Sequence, residues 1–427
     1  MTSIVLLNPP SPADALANRE GTASFGALSS SFIYPPHTLA TIAAVCREAG
    51  LDVIVIDAVA ERFDQQTAID IIRGANPTLL GVYCSWGTLD ADRENLSVLH
   101  SAFPRLPIVA IGAGVRYSAD ELLVAGASHV LLGDPEIAFA KLAGDSLPTP
   151  GIIRVRDLAP EQHNSAGLIR DPADLPRPAW DLVPWQKYGL LTVFGSRGCN
   201  DTCKFCAYVV AQGRAYRPRP AADVAEEMIW LTETYGPHRI MVRDPVFAQE
   251  RLRIIALLDA LIARGFNTPW ECESRPEHFD KTLLQKMAKA RCTVIKIGVE
   301  TADPDLLAQI GRVASPTDAA TYLAYTRRVV ADAQRCGIRT YATVMAGLPG
   351  QTIAQAEVTA DYLRSLKPSY VFVRPYIAYP RLPLGDAESP ERTEQLAAPL
   401  QAVADERHAI ANRPPSLAQR LRGRLRF

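Results

Sequence analysis

The chain lacks any long apolar run and any strong excess of charge of one sign. No stretch of its 427 residues approaches the roughly 18 apolar residues of a membrane span. The opening MTSIVLLNPP is too short, and too soon broken by proline, for a signal peptide. We therefore expect a cytoplasmic protein with no membrane span. The formal net charge of −1 provides no overall field toward nucleic acid, and no basic stripe with interleaved aromatics indicates such a partner.

Several binding motifs are also missing. Neither GxGxxG nor GxxxxGK[ST] occurs, which argues against a site that cradles nucleotide phosphates. The seven histidines show no ligand spacing and no second CxxC pair exists, so a structural zinc ion would need one distant fourth ligand. The eight cysteines of a cytoplasmic chain are expected to be reduced, so they do not indicate a disulfide framework.

What is present is an alternation of strand and helix patterns, in two series joined by a proline-rich connector. The apolar runs of the first series are continuous, which is typical of strands buried on both faces of a parallel sheet. They lie at 3–8, 51–58, 79–85, 107–113 and 128–134. This pattern predicts an α/β fold with a doubly wound parallel sheet of the Rossmann or flavodoxin-like type. Such sheets bind ligands at the carboxyl ends of their strands.

The second series has six strand–helix units, which predict a partial (β/α)6 barrel of the TIM type. Its predicted strands lie at 190–196, 238–244, 269–275, 293–300, 339–347 and 369–379. The active site of such a barrel is expected at the carboxyl ends of the strands. The predicted organisation is 1–144 for the first sheet, 145–189 for the connector, 190–385 for the partial barrel and 386–427 for a short helical tail with a basic end.

Three cysteines lie together in SRGCNDTCKFCAY, directly after the first strand of the second series. Cys199, Cys203 and Cys206 have the spacing CxxxCxxC, which supplies three of the four ligands that a tetrahedral metal site requires. An iron–sulfur cluster tolerates three thiolates if its open iron serves another purpose. A zinc ion with a distant protein ligand is the alternative, and it would make the chain a non-catalytic metal-binding or interaction protein.

This motif, with the aromatic Phe205 before its last cysteine, resembles the signature of radical S-adenosylmethionine enzymes. The resemblance implies that the three cysteines hold a [4Fe–4S] cluster, that S-adenosylmethionine binds the open iron, and that Phe205 packs near the adenine. It also implies reductive cleavage to a deoxyadenosyl radical, which takes hydrogen from an unactivated carbon. An external electron donor would be a required partner.

Four later segments resemble parts of that family that surround the cofactor. MVRDPVF places Asp244 near the methionyl end, and ECESR places Arg275 where a cation meets the cofactor carboxylate. IGVET places Glu300 beside the ribose hydroxyls, and AGLPGQT places Gly347 beside the adenosyl group. Alternatively, Arg275 and Glu300 pair with each other and Gly347 only shapes a turn. We assign no residue to proton transfer.

The first series resembles the cobalamin-binding domain of one large radical S-adenosylmethionine subfamily. The matching segments include LLNPP, YPPHTLATIAAVCREAG and GDPE. The candidate cobalamin residues that this resemblance implies are Asn8, Pro9, Pro10, Ser85, Gly112, Gly114, Gly133 and Glu136. No DxHxxG occurs, so no histidine of that motif can coordinate cobalt, although many members of the subfamily lack it too.

The expected function is therefore cobalamin-dependent C-methylation of a small molecule in a biosynthetic pathway. The alternative is an enzyme that uses the same radical without cobalamin to dehydrate a sugar diol, close a ring or epimerise a centre. In that case the first domain would be a vestigial scaffold. The short C-terminal region favours this alternative, because a methyltransferase would need a substrate-binding extension. The sequence identifies neither the substrate nor the electron donor.

Overall fold

The computed structural model describes residues 3–13, 15–20, 27–29, 32–112, 115–144, 152–153, 167–380 and 382–412. The chain divides into two compact units. Among the described residues, the first unit contains those up to 201, together with 206–270 and 379–380. The second unit contains 202–205, 271–378 and 382–412. The four domain limits expected from the sequence stay predictions.

The strands in the described residues are β1 (Ser3–Asn8), β2 (Leu16–Asn18), β3 (Ala27–Ser29), β4 (Asp52–Asp57), β5 (Leu79–Tyr83), β6 (Ile108–Ile111), β7 (His129–Leu131), β8 (Ile152–Ile153), β9 (Leu191–Val193), β10 (Ser196–Arg197), β11 (Arg217–Pro218), β12 (Ile240–Val242), β13 (Trp270–Ser274), β14 (Cys292–Glu300), β15 (Arg339–Ala346) and β16 (Tyr370–Pro375). The α-helices there are α1 (His37–Glu48), α2 (Ala58–Glu61), α3 (Gln65–Ala75), α4 (Leu89–Ala102), α5 (Ala119–Val124), α6 (Pro135–Ala143), α7 (Ala207–Gln212), α8 (Ala221–Tyr235), α9 (Arg251–Ala263), α10 (Lys281–Lys289), α11 (Pro304–Gln309), α12 (Ala319–Arg335), α13 (Ile353–Leu366) and α14 (Pro390–Ala411).

The first sheet has the strand order β4-β1-β5-β6-β7-β8, in which β8 alone runs antiparallel to its neighbour. Its five parallel strands have the order of a flavodoxin-like doubly wound sheet. Alternate residues of β1 enter different cores: Val5 and Leu7 pack on one face, and Ile4 and Leu6 pack on the other. A strand buried on both faces needs a continuous apolar run, so the predicted α/β fold is confirmed.

The second sheet has the order β16-β15-β14-β13-β12-β9, and the pairings β9–β12, β14–β15 and β15–β16 are parallel. Each strand except β9 follows at least one helix of this region, as the predicted partial barrel requires. A small antiparallel pair, β10 with β11, flanks the cysteine segment. The barrel-type architecture expected from the six repeated units is confirmed.

The C-terminal region forms the long helix α14, so the predicted helical tail is confirmed. This helix contains Pro399 in its interior and buries Leu396, Leu400 and Val403. The basic end of the tail, from residue 413 onward, lies outside the described residues. Within the described part of the chain, no helix has the length and apolar character required to cross a membrane.

Candidate active site

Two arginines contact the middle cysteine of the motif. Arg275 Nη1 and Arg312 Nη1 each lie 3.8 Å from Cys203 Sγ, and Cys203 is buried. The neighbouring Lys204 donates its backbone N–H to the carbonyl of Ile310 at 2.9 Å, which holds the cysteine segment beside Arg312. Two guanidinium groups at this distance would balance the negative charge of a thiolate ligand.

Arg312 is a residue that the sequence analysis missed. Its Nε donates to the hydroxyl of Tyr322 at 2.9 Å, and its Nη2 donates to the carbonyl of Gly298 at 2.7 Å. Burial lowers the pKa of the Arg312 guanidinium, but Tyr322, Glu300 and Cys203 together raise it further, above its ordinary value. Arg312 lies in the loop after α11, outside any recognisable motif. In the sequence, only its charge could have indicated a functional role.

Glu300 ends β14 in a conformation that non-glycine residues rarely adopt, with φ of +64°. A Cβ added at Gly298 would lie 2.0 Å from Glu300 Oε1, so glycine at that position makes room for the carboxylate. Burial raises the pKa of Glu300, whereas Arg312 and Arg275 lower it. A strained, buried carboxylate beside two cations is typical of a functional site.

The alternative pairing of Arg275 with Glu300 competes with other contacts of the same guanidinium. Arg275 Nη2 donates to Glu277 Oε1 at 2.6 Å and to the carbonyl of Arg312 at 2.9 Å. The structure therefore brings Arg275, Glu300 and Cys203 together in the second unit, with Arg312 among them. The roles that the sequence analysis gave to Arg275 and Glu300 stay predictions.

Gly347 and Phe205 also lie in the second unit. Gly347 has φ of +80°, its N–H donates to Gln351 Oε1 at 2.9 Å, and an added Cβ would lie 2.4 Å from Thr393 Oγ1. This turn therefore requires glycine whatever it binds. The ring of Phe205 packs against an apolar cluster. That cluster consists of Leu306, Ile310, Met345, Leu348, Tyr376 and Leu384.

Asp244 lies just after β12 and holds the segment that leads into the cysteine motif. Its Oδ1 accepts hydrogen bonds from the N–H groups of Gly195 at 2.6 Å and Ser196 at 3.0 Å, and Arg253 lies 3.9 Å from Oδ2. Burial raises the pKa of Asp244, while Arg253 and these donors lower it. The described contacts of Asp244 are internal to the first unit, and its predicted place near the methionyl group is untested.

A buried network of ions fixes the residue two positions before Cys199. Arg197 lies 2.8 Å from Asp134 and 2.6 Å from Glu136, and Arg217 lies 2.7 Å from Asp134. All four side chains are less than a tenth exposed. Glu136, which the sequence analysis placed beside cobalamin, is thus held by Arg197 in the interior. The sequence could not indicate this partner, because the two residues lie 61 positions apart.

The other polar cobalamin candidates are also occupied by internal bonds. Asn8 donates to Asp57 Oδ1 at 2.8 Å and accepts from Arg19 Nη1 at 3.0 Å. The Ser85 hydroxyl lies 2.7 Å from Thr88 Oγ1. Both side chains are buried, and their predicted roles at cobalamin stay predictions.

Pro9, Pro10 and Gly112 make close contacts through their backbones. The carbonyl of Pro9 accepts from Arg19 at 2.8 Å, and that of Pro10 accepts from Asn95 at 3.2 Å. A Cβ added at Gly112 would lie 1.9 Å from the carbonyl oxygen of Cys84, so the close approach of these two strand ends requires glycine. Gly133 is half-buried between β7 and α6, and Gly114 lies outside the described residues.

None of the three cysteines of the motif forms a disulfide with a described residue. Cys199 and Cys206 belong to the first unit, and Cys203 belongs to the second. Across the described ranges, no group of three or more histidine, cysteine, aspartate or glutamate side chains is arranged to hold a metal ion.

Comparison with known families assigns both regions. Residues 193–363 match the radical SAM superfamily, and residues 24–143 match the B12 binding domain. The chain is therefore a radical SAM enzyme with a cobalamin-binding domain. Its cofactors are accordingly a [4Fe–4S] cluster, S-adenosylmethionine and cobalamin, and the non-catalytic zinc alternative is set aside.

The named proteins that this chain resembles have low sequence identity to it. An uncharacterised methyltransferase of Pyrococcus horikoshii is 25% identical over 79% of this chain and 74% of its own length. The cytidylyl-2-hydroxyethylphosphonate methyltransferase of Streptomyces wedmorensis is 21% identical over 77% of this chain and 72% of its own. The solved structure of the radical S-adenosylmethionine methyltransferase TsrM from Kitasatospora setae, with cobalamin and a [4Fe–4S] cluster bound, has a TM-score of 0.68. It is 19% identical and covers 88% of this chain and 75% of that protein, which is a similarity of fold.

Proposed function

We propose that this enzyme transfers a methyl group to a carbon atom of a small molecule in a cobalamin-dependent reaction. The observation that carries the proposal is the presence of both domain types in one chain. Two similar proteins act on small molecules: one is named for cytidylyl-2-hydroxyethylphosphonate, and TsrM has been solved with a tryptophan substrate. An external electron donor is part of the proposal.

Cys199, Cys203 and Cys206 would hold the cluster, and the donor set fits it. Iron–sulfur clusters are bound by thiolates, and Cys203 is a buried free thiol with two guanidinium groups 3.8 Å away. When bound, the cluster supplies the electron that cleaves S-adenosylmethionine, and cobalamin supplies the methyl group.

The chain's own groups would orient the nucleotide cofactor. Arg275 and Arg312 supply positive charge for a carboxylate, and Glu300 supplies acceptor oxygens for hydroxyl groups. Phe205 supplies an apolar surface beside Cys203, and the Gly347 turn allows a close backbone approach. We infer that burial of these groups also keeps water away from the reacting atoms.

The strand ends of the first sheet fit a corrinoid through small residues and backbone rather than through Asn8, Ser85 or Glu136. Those three side chains are already bonded within the chain. The hydroxyl of Ser118 is different: it is buried, follows the Gly112 turn, and has no hydrogen-bond partner in the described part of the chain. An orphaned buried hydroxyl at this edge is suited to a ligand amide.

Anaerobic purification with cobalamin supplied tests the proposal. We expect about four irons per chain, retained cobalamin, and S-adenosylhomocysteine when a reductant and S-adenosylmethionine are added. Deoxyadenosine without cobalamin or S-adenosylhomocysteine would overturn methyl transfer and favour the cobalamin-independent alternative.

A matched pair of cysteine variants provides the control for the cluster. Cys203→Ala should lose most of the iron, because it removes one of the three thiolates. Cys336→Ala should keep it, since Cys336 stands alone at the end of α12. Equal iron contents of the two variants would contradict the assignment of the motif.

A further inference from the structure

An open groove of about 450 Å³ lies in the second unit, between the end of β16 and the first half of α14. Val373 and Pro375 line it from β16, and Pro390 and Ala397 line it from α14. Successive residues of a strand point to opposite faces of the sheet, so Val373 lies on the face opposite to that of Phe372. The groove is therefore outside the barrel and apart from the cofactor groups described above.

The strand β16 is at the edge of its sheet. Among the described strands it pairs with β15 alone. The helix α14 covers the start of this edge, where His408 Nε2 lies 3.0 Å from the carbonyl oxygen of Val371. Further along the strand, the groove opens beside Val373. A groove next to an edge strand is a common binding place for an extended peptide.

The groove is apolar with acidic groups, and none of its described lining residues is basic. Glu388 Oε1 accepts the N–H of Gly350 at 2.8 Å. Glu394 is exposed and has no hydrogen-bond or ion-pair partner among the described residues. One turn beyond the groove, Asp405 accepts from Gln401 at 2.8 Å and continues the acidic side of α14. Such a surface fits a segment that is both apolar and cationic.

A segment of this kind follows α14 in the same chain. Residues 413–427, RPPSLAQRLRGRLRF, contain five arginines and neither aspartate nor glutamate, although the net charge of the whole chain is −1. We call them the basic segment, and they lie outside the described residues. From 420 to 427, arginine alternates with leucine, glycine or phenylalanine. In an extended peptide this alternation directs the arginines to one side and Leu421, Leu425 and Phe427 to the other.

The basic segment is long enough to reach the groove. Gln401 lies at the near end of the groove, about 17 Å back along α14 from Asn412 at 1.5 Å per helical residue. Residues 413–419 span up to about 23 Å when extended. The alternating residues 420–427 then have room to lie along the groove toward Pro390.

We propose that the basic segment docks in this groove of its own chain. Its apolar side chains pack on Val373 and Ala397, and its arginines pair with Glu394 and the neighbouring acidic groups. The apolar contact excludes water and the charges fix which side of the segment faces the sheet.

The docked segment also braces the Gly347 turn from outside the barrel. Glu388 and Thr393 line the groove, and both contact this turn. The N–H of Glu388 donates to the carbonyl of Gly347 at 3.3 Å, and Thr393 Oγ1 occupies the space that a Cβ of residue 347 would need. This second part rests on the proposed function, in which the turn borders S-adenosylmethionine.

Photo-crosslinking in the full chain tests the docking. Leu425→p-benzoylphenylalanine places a photoreactive group in the basic segment, and mass spectrometry maps the products. We expect cross-links within one chain to residues 388–401. Cross-links to a second copy, cross-links to other parts of the chain, or the absence of any product would overturn the docking.

Tryptic cleavage after the arginines of the basic segment provides a second measure, because it follows the undocked population. Glu394→Gln should speed this cleavage about threefold or more, since it removes a charge that pairs with arginine. Glu406→Gln, which changes an exposed carboxylate of α14 outside the groove, should leave the rate unchanged. Equal rates in the two variants would contradict the docking.

The bracing is measured by the Kd of S-adenosylmethionine for the reconstituted full chain. Glu394→Gln should raise this Kd about twofold or more, because a looser turn is less preorganised. Faster cleavage with an unchanged Kd would overturn the bracing. If the unaltered chain does not bind S-adenosylmethionine, the proposed function fails instead, since cross-linking and cleavage require neither cofactor nor turnover.

Discussion

The two parallel sheets use their polar residues in opposite ways. At the strand ends of the first sheet, Arg19 and Asp92 form an ion pair of 2.7 Å with both side chains 0% exposed, and Asn8 is bonded to the same arginine. In the second sheet, Glu273 of β13 is half-buried and has no hydrogen-bond or ion-pair partner among the described residues. Polar groups that satisfy one another build a rigid platform, whereas groups left without internal partners are available to a ligand. Parallel α/β sheets in this chain thus carry both kinds of polar group.

The largest expected effect comes from removing the buried ion pair between Arg19 and Asp92 in the first unit. Asp92→Ala leaves Arg19 buried without its counter-ion, so we expect a loss of about 3–5 kcal/mol in the free energy of unfolding. The exposed pair of Arg73 and Asp70 provides the control, and Asp70→Ala should cost less than about 1 kcal/mol. Urea denaturation measures both, and comparable losses would contradict the burial of the Arg19–Asp92 pair.

An intermediate effect is expected at Arg312 in the second unit. Arg312→Gln removes the charge beside Cys203 and the donors to Gly298 and Tyr322, so we expect a loss of about 1–3 kcal/mol in stability and a lower iron content after reconstitution. Arg312→Lys should recover part of the iron content because it keeps the charge. Arg335→Gln is the matched control, because the Arg335 side chain is 69% exposed. Full iron occupancy in Arg312→Gln would show that the cation does not assist the cluster.

The smallest effect is a pH dependence of the first sheet. Burial raises the pKa of Asp57, although Tyr188, Ala60 and Asn8 lower it by hydrogen bonding. The folded chain therefore binds this proton more tightly than the unfolded chain, and Asp57 contributes stability that is lost as pH rises through its folded pKa. Asp57→Asn should remove this decrease in the free energy of unfolding with rising pH.

Asp64 provides a comparison of opposite sign. It caps α3, and its hydrogen bonds with Thr67 lower its pKa. Its contribution to stability is present at neutral pH and is lost as pH falls. The unfolding free energies of Asp57→Asn and Asp64→Asn, measured from about pH 2 upward, should diverge from that of the unaltered chain in opposite directions. Parallel profiles would be evidence against the buried state of Asp57.

Much of the fold could be predicted because its signals are local. The continuous apolar run at 3–8 became β1, which is buried on both faces, and the six units of the second series became the second sheet. The cysteine motif was equally evident, since Cys199, Cys203 and Cys206 are close along the chain.

The partners of site residues could not be predicted in the same way. Arg312 lies 109 positions from Cys203, and Arg19 lies 73 positions from Asp92. Glu136, whose predicted role at cobalamin stays a prediction, pairs with Arg197, 61 positions away. No periodicity or spacing connects residues so far apart.

The sequence by itself determined the two series of strands, the cluster motif and the positions of glycine at Gly112 and Gly347, because burial on both faces and tight turns restrict residue type locally. Only the tertiary structure decided which cations face Cys203 and which carboxylates are neutralised by arginine. Those outcomes depend on how distant segments pack, since charge balance in a protein interior is set by neighbours in space rather than by neighbours along the chain.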